Sequence, residues 1–448
     1  MKKSTAIGLL VCLVFSFGAG CLAENREGML EGNNPQGRNI CKEESAIQER
    51  NIFQEENISQ EENISQEGGS GNSGTDTESK TPEEQGPDGE YEETIEEEIK
   101  EEIIKEKNIE MYCSQKRTLS VKRREGCQEV VFSSSDSHIA SVKKNGKLTA
   151  KKCGQAVITA QSESDAAKYI TRFTVHVMYS RYVEDGKQKA PHIDEEERNK
   201  YFSDAAFLGN SVSLGLKYYF DGKPEGFMGD PLVLAASSYS FYNDDHGQDQ
   251  YRIHYKGQVY KAKDAIKAAG VGKVFISMGI NDIYVGVEKA YRNYVSYIKG
   301  IRKTNPDCMI FIESVTPVYK AKGHFNNENF DKLNARMEKY CKDQKDIFYI
   351  DISTAMKDES GRLKSSYCSD GFLHISSAGY QIWCNEVCKY IDRFLIARHE
   401  VEDLIITAEQ GRLAKDYKTA KKNVAALEKS TFKDEMKKRL KKISVIKS

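Results

Sequence analysis

Between residues 196 and 397, short apolar segments alternate with helix-like segments, and this alternation restricts the fold more than any other feature. The predicted strands are Ala205–Leu208, Lys273–Ser277, Cys308–Val315 and Ile347–Ile352. The helix-like segments are Lys261–Ala269, Val287–Lys303, Asn329–Lys342, and a last one from Ser377 to about Leu395. Strands that alternate with helices predict an α/β module with a mostly parallel sheet. Ligands of such sheets bind beyond the carboxyl ends of the strands.

Polar motifs follow two of these strands, and a third motif precedes the last helix. A Gly-Asn-Ser motif ending at Ser211 follows the first strand, and a Gly-Ile-Asn-Asp motif containing Asn281 follows the second. Asp370 and His374 lie together in SDGFLHISSAGY. A hydrolytic serine needs an exposed Oγ, a base within hydrogen-bond reach and donors for the developing oxyanion. These residues have the chemistry for those roles, although a serine in such a turn is by itself usually a helix cap.

In this order along the chain, the motifs resemble the conserved blocks of the SGNH/GDSL hydrolase superfamily. The resemblance implies a flavodoxin-like, three-layer α/β/α module at 196–397. It implies that Ser211 is the nucleophile, with its own N–H in the oxyanion hole, and that Asn281 is a second oxyanion donor. It also implies that His374 is the base and Asp370 the acid that orients it. It implies further that the module needs no metal and no organic cofactor.

The chain departs from the superfamily pattern at three places. Asn210 stands where the first block usually has Asp, but it keeps an acceptor oxygen. The last block has one residue more than usual between Asp370 and His374, and we expect one helical turn to bring the two side chains together. The glycine of the second block has no clear match. Ser237 or Ser238 lies in its place, and a backbone N–H there could still serve.

A small all-β module is predicted at 108–178. Its β-prone segments are Arg117–Val121, Glu129–Ser133, Ile139–Lys143, Ala156–Ala160 and Tyr169–Val177, with turn residues between them. Short strands separated by such turn residues indicate a β-sandwich. The stretch at 132–161 resembles the bacterial Ig-like group 2 domain, with Phe132 where Trp is usual. Such domains serve as spacers or adhesive modules.

The N-terminus is typical of a secretory signal. Two lysines precede an apolar stretch from Ala6 to Phe17, followed by small residues. We predict a signal peptide at 1–23 and an extracellular or cell-surface location. Cleavage after Ala23 would release the protein, whereas cleavage before Cys21 would leave it lipid-anchored, and the sequence leaves both open. We predict no membrane-spanning segment after the signal.

Charge is segregated along the chain. The formal net charge of −2 excludes a uniformly basic nucleic-acid binder. Residues 24–110 hold 26 Asp and Glu against 8 Lys and Arg, a net of −18. Their acidic repeats and Gly/Ser-rich stretch cannot bury enough apolar surface to fold. We therefore predict a disordered acidic linker at 24–107, with a short helix at 92–107.

The C-terminal residues 398–448 form a predicted basic helical tail. Apolar residues recur there at helical spacing, and residues 411–448 hold 13 Lys and Arg against 4 Asp and Glu. The tail could bind an anionic cell-wall polymer through its charge, or it could be a solvated appendage. The chain has 11 cysteines and no CxxC pair, so a zinc site is not predicted. Export would permit disulfides, but their pairing stays open.

The function expected from these features is that of a secreted or surface-tethered serine esterase. Its substrate would be a glycan O-acetyl or another small acyl ester, cleaved through an acyl-serine. An acyltransferase that uses the same site is an alternative. A surface-binding protein with a weakly active hydrolase module is a second alternative, because of the departures in the second and last blocks.

Overall fold

The structure, a computed structural model, describes residues 101–122, 125–164 and 167–446. The predicted signal peptide at 1–23, its Cys21, and the linker up to residue 100 lie outside these residues. Among the described residues, no helix is both long enough and apolar enough to cross a bilayer.

The N-terminal module is a two-sheet sandwich of the Ig-like type, which confirms the predicted fold class. Its strands are β1 (Glu101–Tyr112), β2 (Lys116–Thr118), β3 (Val131–Ser134), β4 (Ala140–Val142), β5 (Lys147–Ala150), β6 (Gly154–Glu163) and β7 (Ala167–Met178). One sheet has the order β1-β7-β6-β3 and the other the order β2-β5-β4. The core between them includes Leu148, Ile158, Phe173 and Val175.

Strand β1 corrects the prediction of a helix and a disordered linker that reach residue 107. Residues 101–112 pair in parallel with β7 over twelve positions. Ile109 and Met111 are buried on the core side. Glu102 and Glu106 lie beside Lys168 and Arg172 of β7, at 3.4 and 3.9 Å. The backbone ladder and apolar burial outweigh the helix propensity of the Glu and Lys residues.

The second module has a single parallel sheet with helices on both faces. After a hairpin of β8 (Val183–Glu184) and β9 (Lys187–Gln188), its strands are β10 (Ala205–Gly209), β11 (Leu232–Ala235), the small hairpin of β12 (Ile253–Tyr255) and β13 (Gln258–Tyr260), β14 (Lys273–Ser277), β15 (Met309–Glu313) and β16 (Ile347–Ile350). The sheet order β11-β10-β14-β15-β16 is flavodoxin-like, as predicted. The sequence prediction omitted β11, which is only four residues long.

The helices of the chain are α1 (Glu195–Phe202), α2 (Ser211–Asp221), α3 (Phe241–His246), α4 (Ala262–Ala269), α5 (Val287–Thr304), α6 (Asn327–Asp343), α7 (Ser377–Gly411), α8 (Ala414–Ala426) and α9 (Thr431–Lys441). Short 3-10 turns lie at Phe227–Gly229, Asp249–Tyr251, Ile280–Val285, Thr354–Met356 and Ser365–Tyr367. Helix α5 packs between α4 and α6 on one face of the sheet. On the other face, aromatic rings of α1, α2 and α7 contact the strands.

A row of four phenylalanines crosses the parallel sheet and forms the centre of this core. Phe207, Phe275, Phe311 and Phe348 occupy matching positions on β10, β14, β15 and β16. Neighbouring rings stack with centroids 4.9, 4.7 and 5.2 Å apart. Such pairs add to the free energy gained by burying their apolar area. The row fixes the register of the strands whose ends carry the polar motifs.

Helix α7 corrects the predicted end of the last helix near Leu395 and the predicted boundary at 397/398. It runs without interruption through both positions to Gly411. Val401, Ile405 and Ala408 of α7 form a small core with α8 and α9. The C-terminal residues are therefore a packed helical unit rather than a separate solvated appendage.

The same helix contacts the Ig-like module and the residues that directly follow it. Asp403 accepts hydrogen bonds from the Arg181 backbone N–H and Nε, each at 2.9 Å. Thr407 Oγ1 accepts from the Tyr179 N–H at 2.9 Å. Gly411 lies against Gly154 at the start of β6. These polar contacts are partly buried and join the two modules through one helix.

Glu313, at the end of β15, is a buried carboxyl that affects how stability depends on pH. It is 1% exposed, and its Oε1 accepts a hydrogen bond from Trp383 Nε1 at 2.9 Å. Its Oε2 has no partner among the described residues. Burial raises the pKa of Glu313 to about 8, although the Trp383 bond lowers it. Because the folded-state pKa lies above the ordinary value, ionisation destabilises the fold increasingly as pH rises toward 8.

We predict that Glu313→Gln removes this pH-dependent loss. Between pH 5 and pH 8, the free energy of unfolding of the wild type should fall relative to that of E313Q by roughly 3 kcal/mol. Denaturant unfolding at both pH values measures these free energies of unfolding. Glu359→Gln, at an exposed position, is the control. A constant difference between wild type and E313Q at both pH values would contradict the prediction.

Candidate active site

Ser211 lies where strand β10, the second strand in the sheet order, passes into α2. It is the first residue of the helix, and Asn210 caps the helix because its Oδ1 accepts from the Val212 N–H at 3.0 Å. The Asn found here in place of Asp therefore keeps the capping function. A Cβ at Gly209 would lie 2.6 Å from the Ser277 carbonyl oxygen and would collide with the Ser213 hydroxyl. Only glycine allows this close turn between the strand and the helix.

His374 contacts both predicted partners. Its Nε2 lies 3.2 Å from Ser211 Oγ, and its Nδ1 lies 2.6 Å from Asp370 Oδ2. The structure thus brings Ser211 to His374, 163 positions later in the chain, and keeps His374 beside Asp370, in the order of the predicted nucleophile, base and orienting acid. The His374 side chain is 21% exposed, whereas that of Asp370 is 5% exposed. The imidazole is therefore accessible while its carboxylate partner is protected from water.

The longer spacing between Asp370 and His374 is accommodated by a turn, which corrects the expectation of a helical turn. Residues 369–375 are not helical. Asp370 Oδ1 accepts from the N–H groups of Phe372, Leu373 and His374 at 2.7, 3.0 and 3.2 Å. Gly371 adopts a φ of 72°, which glycine reaches without strain. The extra residue is thus folded around the carboxylate, and Oδ2 stays directed to the imidazole.

The environment of Asp370 keeps its carboxyl ionised. Burial alone would raise the pKa of this group. The hydrogen bond and charge of His374, together with the N–H groups of Phe372 and His374, lower the pKa of Asp370 to about 2. A carboxylate in this state fixes the Nδ1–H tautomer of His374 and stabilises the imidazolium that forms when Nε2 takes a proton.

Asn281 lies beyond the end of β14, which neighbours β10 in the sheet. Gly209 and Ser277, the last residues of the two strands, are directly paired. Because the strand order reverses around this pair, Ser211 and Asn281 follow the two strands that border the binding crevice of such a sheet. Asn281 Nδ2 donates to the Tyr239 carbonyl at 3.0 Å. Among the described residues, the second hydrogen of this amide has no acceptor.

Ser238 occupies the place for which the sequence offered Ser237 or Ser238. It lies in the turn after β11, with a φ of 53°, the left-handed region that favours glycine. Its carbonyl accepts from Asn243 Nδ2 at 2.7 Å, and the next helix, α3, is capped by Ser240. Ser238, next to Asn281's acceptor Tyr239, thus has the backbone conformation that favours glycine. No sequence signal separated the two serines, because neither is glycine.

Asp282 binds the same segment after β11 that Asn281 contacts, but at Phe241 rather than at Tyr239. Its Oδ1 accepts from the Phe241 N–H at 2.8 Å, and the residue is 4% exposed. Its Oδ2 has no partner among the described residues. Burial raises the pKa of Asp282 to about 7, although the N–H groups of Phe241 and Gly279 lower it. Asn281 and Asp282 together fasten residues 239–241 beside the serine.

Tyr380 connects the first turns of α7 and α2. Its Oη donates to the Val212 carbonyl at 2.7 Å, and its ring stacks near Trp383, whose side chain is fully buried. Gly215 of α2 leaves the space that the Tyr380 ring occupies. Since α7 begins three residues after His374, this contact fixes the helix of the serine against the helix that follows the histidine. Within the described residues, no cluster of His, Cys, Asp and Glu could hold a metal ion.

Two family patterns match the chain. Residues 207–382 match the GDSL-like lipase/acylhydrolase family, and residues 101–171 match the bacterial Ig-like domain (group 2). The first range contains Ser211, Asn281, Asp370 and His374. No curated protein matches the chain.

Several solved structures are similar to it. A Streptococcus pneumonia protein provisionally described as a platelet activating factor is 20% identical, with 44% of this chain and 92% of that chain covered and a TM-score of 0.33. A carbohydrate esterase family 3 protein from Talaromyces cellulolyticus is 15% identical, with 43% and 97% covered and a TM-score of 0.32. The periplasmic domain of a Salmonella ser. Paratyphi A lipopolysaccharide acetyltransferase is 17% identical, with 42% and 83% covered and a TM-score of 0.28.

We predict that the acceptor at Asp282 positions the turn beside Ser211. Asp282→Leu removes it, and kcat on a short-chain aryl ester should fall roughly 10- to 100-fold with little change in KM. Asp282→Asn, which keeps an acceptor for the Phe241 N–H, should stay within a few-fold of the wild type. Equal losses in both variants, or full activity of Asp282→Leu, would contradict this role.

Proposed function

We propose that this chain, whose residues 207–382 form a domain of the GDSL-like lipase/acylhydrolase family, is an exported serine esterase. Its substrate class is a small acyl ester, most simply an O-acetyl group, carried by a glycan. The observation that carries the proposal is the continuous contact from Ser211 Oγ through His374 to Asp370, at 3.2 and 2.6 Å.

The first half of the reaction follows from these contacts. Ser211 Oγ attacks the ester carbonyl carbon while His374 Nε2 takes its proton. The ionised Asp370 stabilises the imidazolium. The carbonyl oxygen becomes an oxyanion, for which the donors are the N–H of Ser211, the backbone N–H at Ser238 and Nδ2 of Asn281. His374 then returns the proton to the leaving sugar oxygen, and the acyl group remains on Ser211.

In the second half, His374 takes a proton from water, and the resulting hydroxide oxygen attacks the acyl carbon. The acyl–serine bond breaks, the proton returns to Ser211 Oγ, and a carboxylic acid leaves. The partial exposure of Ser211 and His374 supports a small acyl group on a bulky carrier, because the carrier can stay in solvent. An acyltransferase would use a sugar hydroxyl in place of water at this step.

Export is part of the proposal and rests on the N-terminal residues. The signal-like segment at 1–23 and the acidic linker would hold the enzyme outside the cell, with or without a lipid on Cys21. The mass of the mature N-terminus separates the two cases: a diacylglyceryl Cys21 means an anchored protein, and Glu24 means a released one.

We predict that Ser211→Ala lowers kcat on a short-chain aryl ester and on an O-acetylated glycan by about 10⁴-fold or more. Asp370→Asn should lower kcat by roughly 10²- to 10⁴-fold, because the imidazole loses its charged partner. Ser237→Ala is the matched control and should keep its activity, because this nearby serine makes no such contact with any described residue.

Turnover that survives Ser211→Ala would exclude this serine as the nucleophile. Transfer of acetyl to an added sugar hydroxyl in preference to water would favour the acyltransferase. A folded wild type that binds the glycan without turning it over would favour the surface-binding alternative.

We also propose that α8 holds the enzyme at an anionic phosphodiester polymer of the cell wall. Four lysines on α8 are exposed: Lys415, Lys418, Lys421 and Lys422. The acid on this helix, Asp416, is buried beside His176 of the Ig-like module, with Oδ1 and Nε2 2.8 Å apart. The outward face of α8 is thus positively charged, which suits a polyanion.

We predict that the triple change Lys418→Glu, Lys421→Glu and Lys422→Glu abolishes binding to such a polymer at low salt, while turnover of a soluble aryl ester stays unchanged. Wild-type binding should weaken steeply as ionic strength rises. The matched control is the same charge reversal at the exposed Lys143, Lys144 and Lys147 of the Ig-like module. If both triple variants bind the polymer equally well, the exposed lysines of α8 do not hold the enzyme at the polymer.

A further inference from the structure

Two cysteines of the Ig-like module have their sulfur atoms in contact. Cys113 Sγ lies 3.8 Å from Cys153 Sγ. The structure describes eight cysteines, all of them free thiols. Within this set, Cys113 and Cys153 are the two whose sulfur atoms are in contact. A disulfide needs an S–S distance of about 2 Å, so closing the bond requires a small approach of the two side chains.

The pair lies where the Ig-like module meets the long helix. Cys113 directly follows β1, and its N–H donates to the Met178 carbonyl at 2.8 Å. Cys153 is 2% exposed and precedes Gly154, the first residue of β6. Gly154 in turn lies against Gly411 at the end of α7. Both cysteines thus flank the end of β7, which lies between β1 and β6 in the sheet.

The two thiols are not equivalent. The side-chain contact with Cys153 lowers the pKa of Cys113 to about 7, although burial raises it. The same contact, followed by burial, raises the pKa of Cys153. Cys113 is also the more exposed of the two. The sulfur that an external oxidant can reach is therefore the one that forms a thiolate more readily.

We propose that Cys113 and Cys153 form a disulfide that fastens β1 to β6 at the face contacting α7. The Cys113 thiolate attacks a sulfur of a disulfide oxidant, R–S–S–R, which releases one RS⁻ and leaves a mixed disulfide. Cys153 loses its proton, and its sulfur attacks Cys113 Sγ and displaces the second RS⁻. The two thiols lose two electrons and two protons, and the oxidant becomes two RSH.

The bond would close a loop across 40 positions that contains β2, β3, β4 and β5. A cross-link over such a loop restricts the unfolded chain and stabilises the module. It would also secure the end of β1, the strand that continues from the acidic N-terminal residues. In the cell the bond needs the oxidising environment of the proposed export. Its chemistry can be tested on the purified chain whether or not the export proposal holds.

The test uses the full-length chain, reduced, freed of reductant and then treated with oxidised glutathione. After free thiols are alkylated under denaturing conditions, the chain is digested with trypsin without reduction. We expect peptide Asn108–Lys116 to be joined to Cys153–Lys168, and the joined pair to separate on reduction. The oxidised protein should lose about 2 Da and melt ~5–10 °C higher in the Ig-like module. Turnover of an aryl ester should not change.

Cys113→Ser and Cys153→Ser should each lack the joined peptide and the shift in melting temperature. Cys127→Ser, which alters the module's other buried cysteine, should keep both. The proposal is overturned if the wild type yields both peptides fully alkylated, if glutathione stays on Cys113, or if Cys113 is joined to another cysteine. The wild-type peptides give this answer even if a serine variant fails to fold.

Discussion

The arrangement of the α/β module and the Ig-like module depends on one helix, α7. Helix α7 begins three residues after His374 and continues for 35 residues, ~50 Å at 1.5 Å per residue. At its start, Tyr380 hydrogen-bonds the carbonyl of Val212, the residue after Ser211. Near its end, Asp403 and Thr407 bind the segment that leaves the Ig-like module. The geometry between serine and histidine, and the attachment of the Ig-like module, therefore depend on the same continuous helix.

Three carboxyl groups near the carboxyl edge of the sheet differ in charge because their surroundings differ. Asp370 receives backbone N–H groups and His374, so its pKa falls to about 2. Burial dominates at Asp282 and Glu313, where it raises the pKa to about 7 and about 8. Near neutral pH, the fully charged acid of the three is the one beside the imidazole. The charge that the proposed mechanism uses is thus concentrated at the base, while the other two groups serve packing and hydrogen bonding.

The sequence predicted the α/β and Ig-like modules because both have periodic apolar strands and turn residues that report local structure. It also predicted that Ser211, Asn281, Asp370 and His374 follow or precede elements that meet at one sheet edge. Strand β1 was missed because its Glu- and Lys-rich residues favour a helix until β7 supplies a parallel partner. The turn at Asp370 was missed because it depends on one carboxylate that binds three N–H groups. The extent of α7 depends on packing with α8, α9 and the Ig-like module, which a local pattern does not contain.

The central claim is that Ser211 is a nucleophile made reactive by the contact with His374. Covalent trapping tests it most directly: the wild-type chain is incubated with a fluorophosphonate, and the site of the adduct is read by peptide mass spectrometry. The account predicts one adduct, on Ser211, that forms much more slowly when His374 is replaced by Ala. An adduct on a different residue, or none in a preparation that turns over esters, would contradict it.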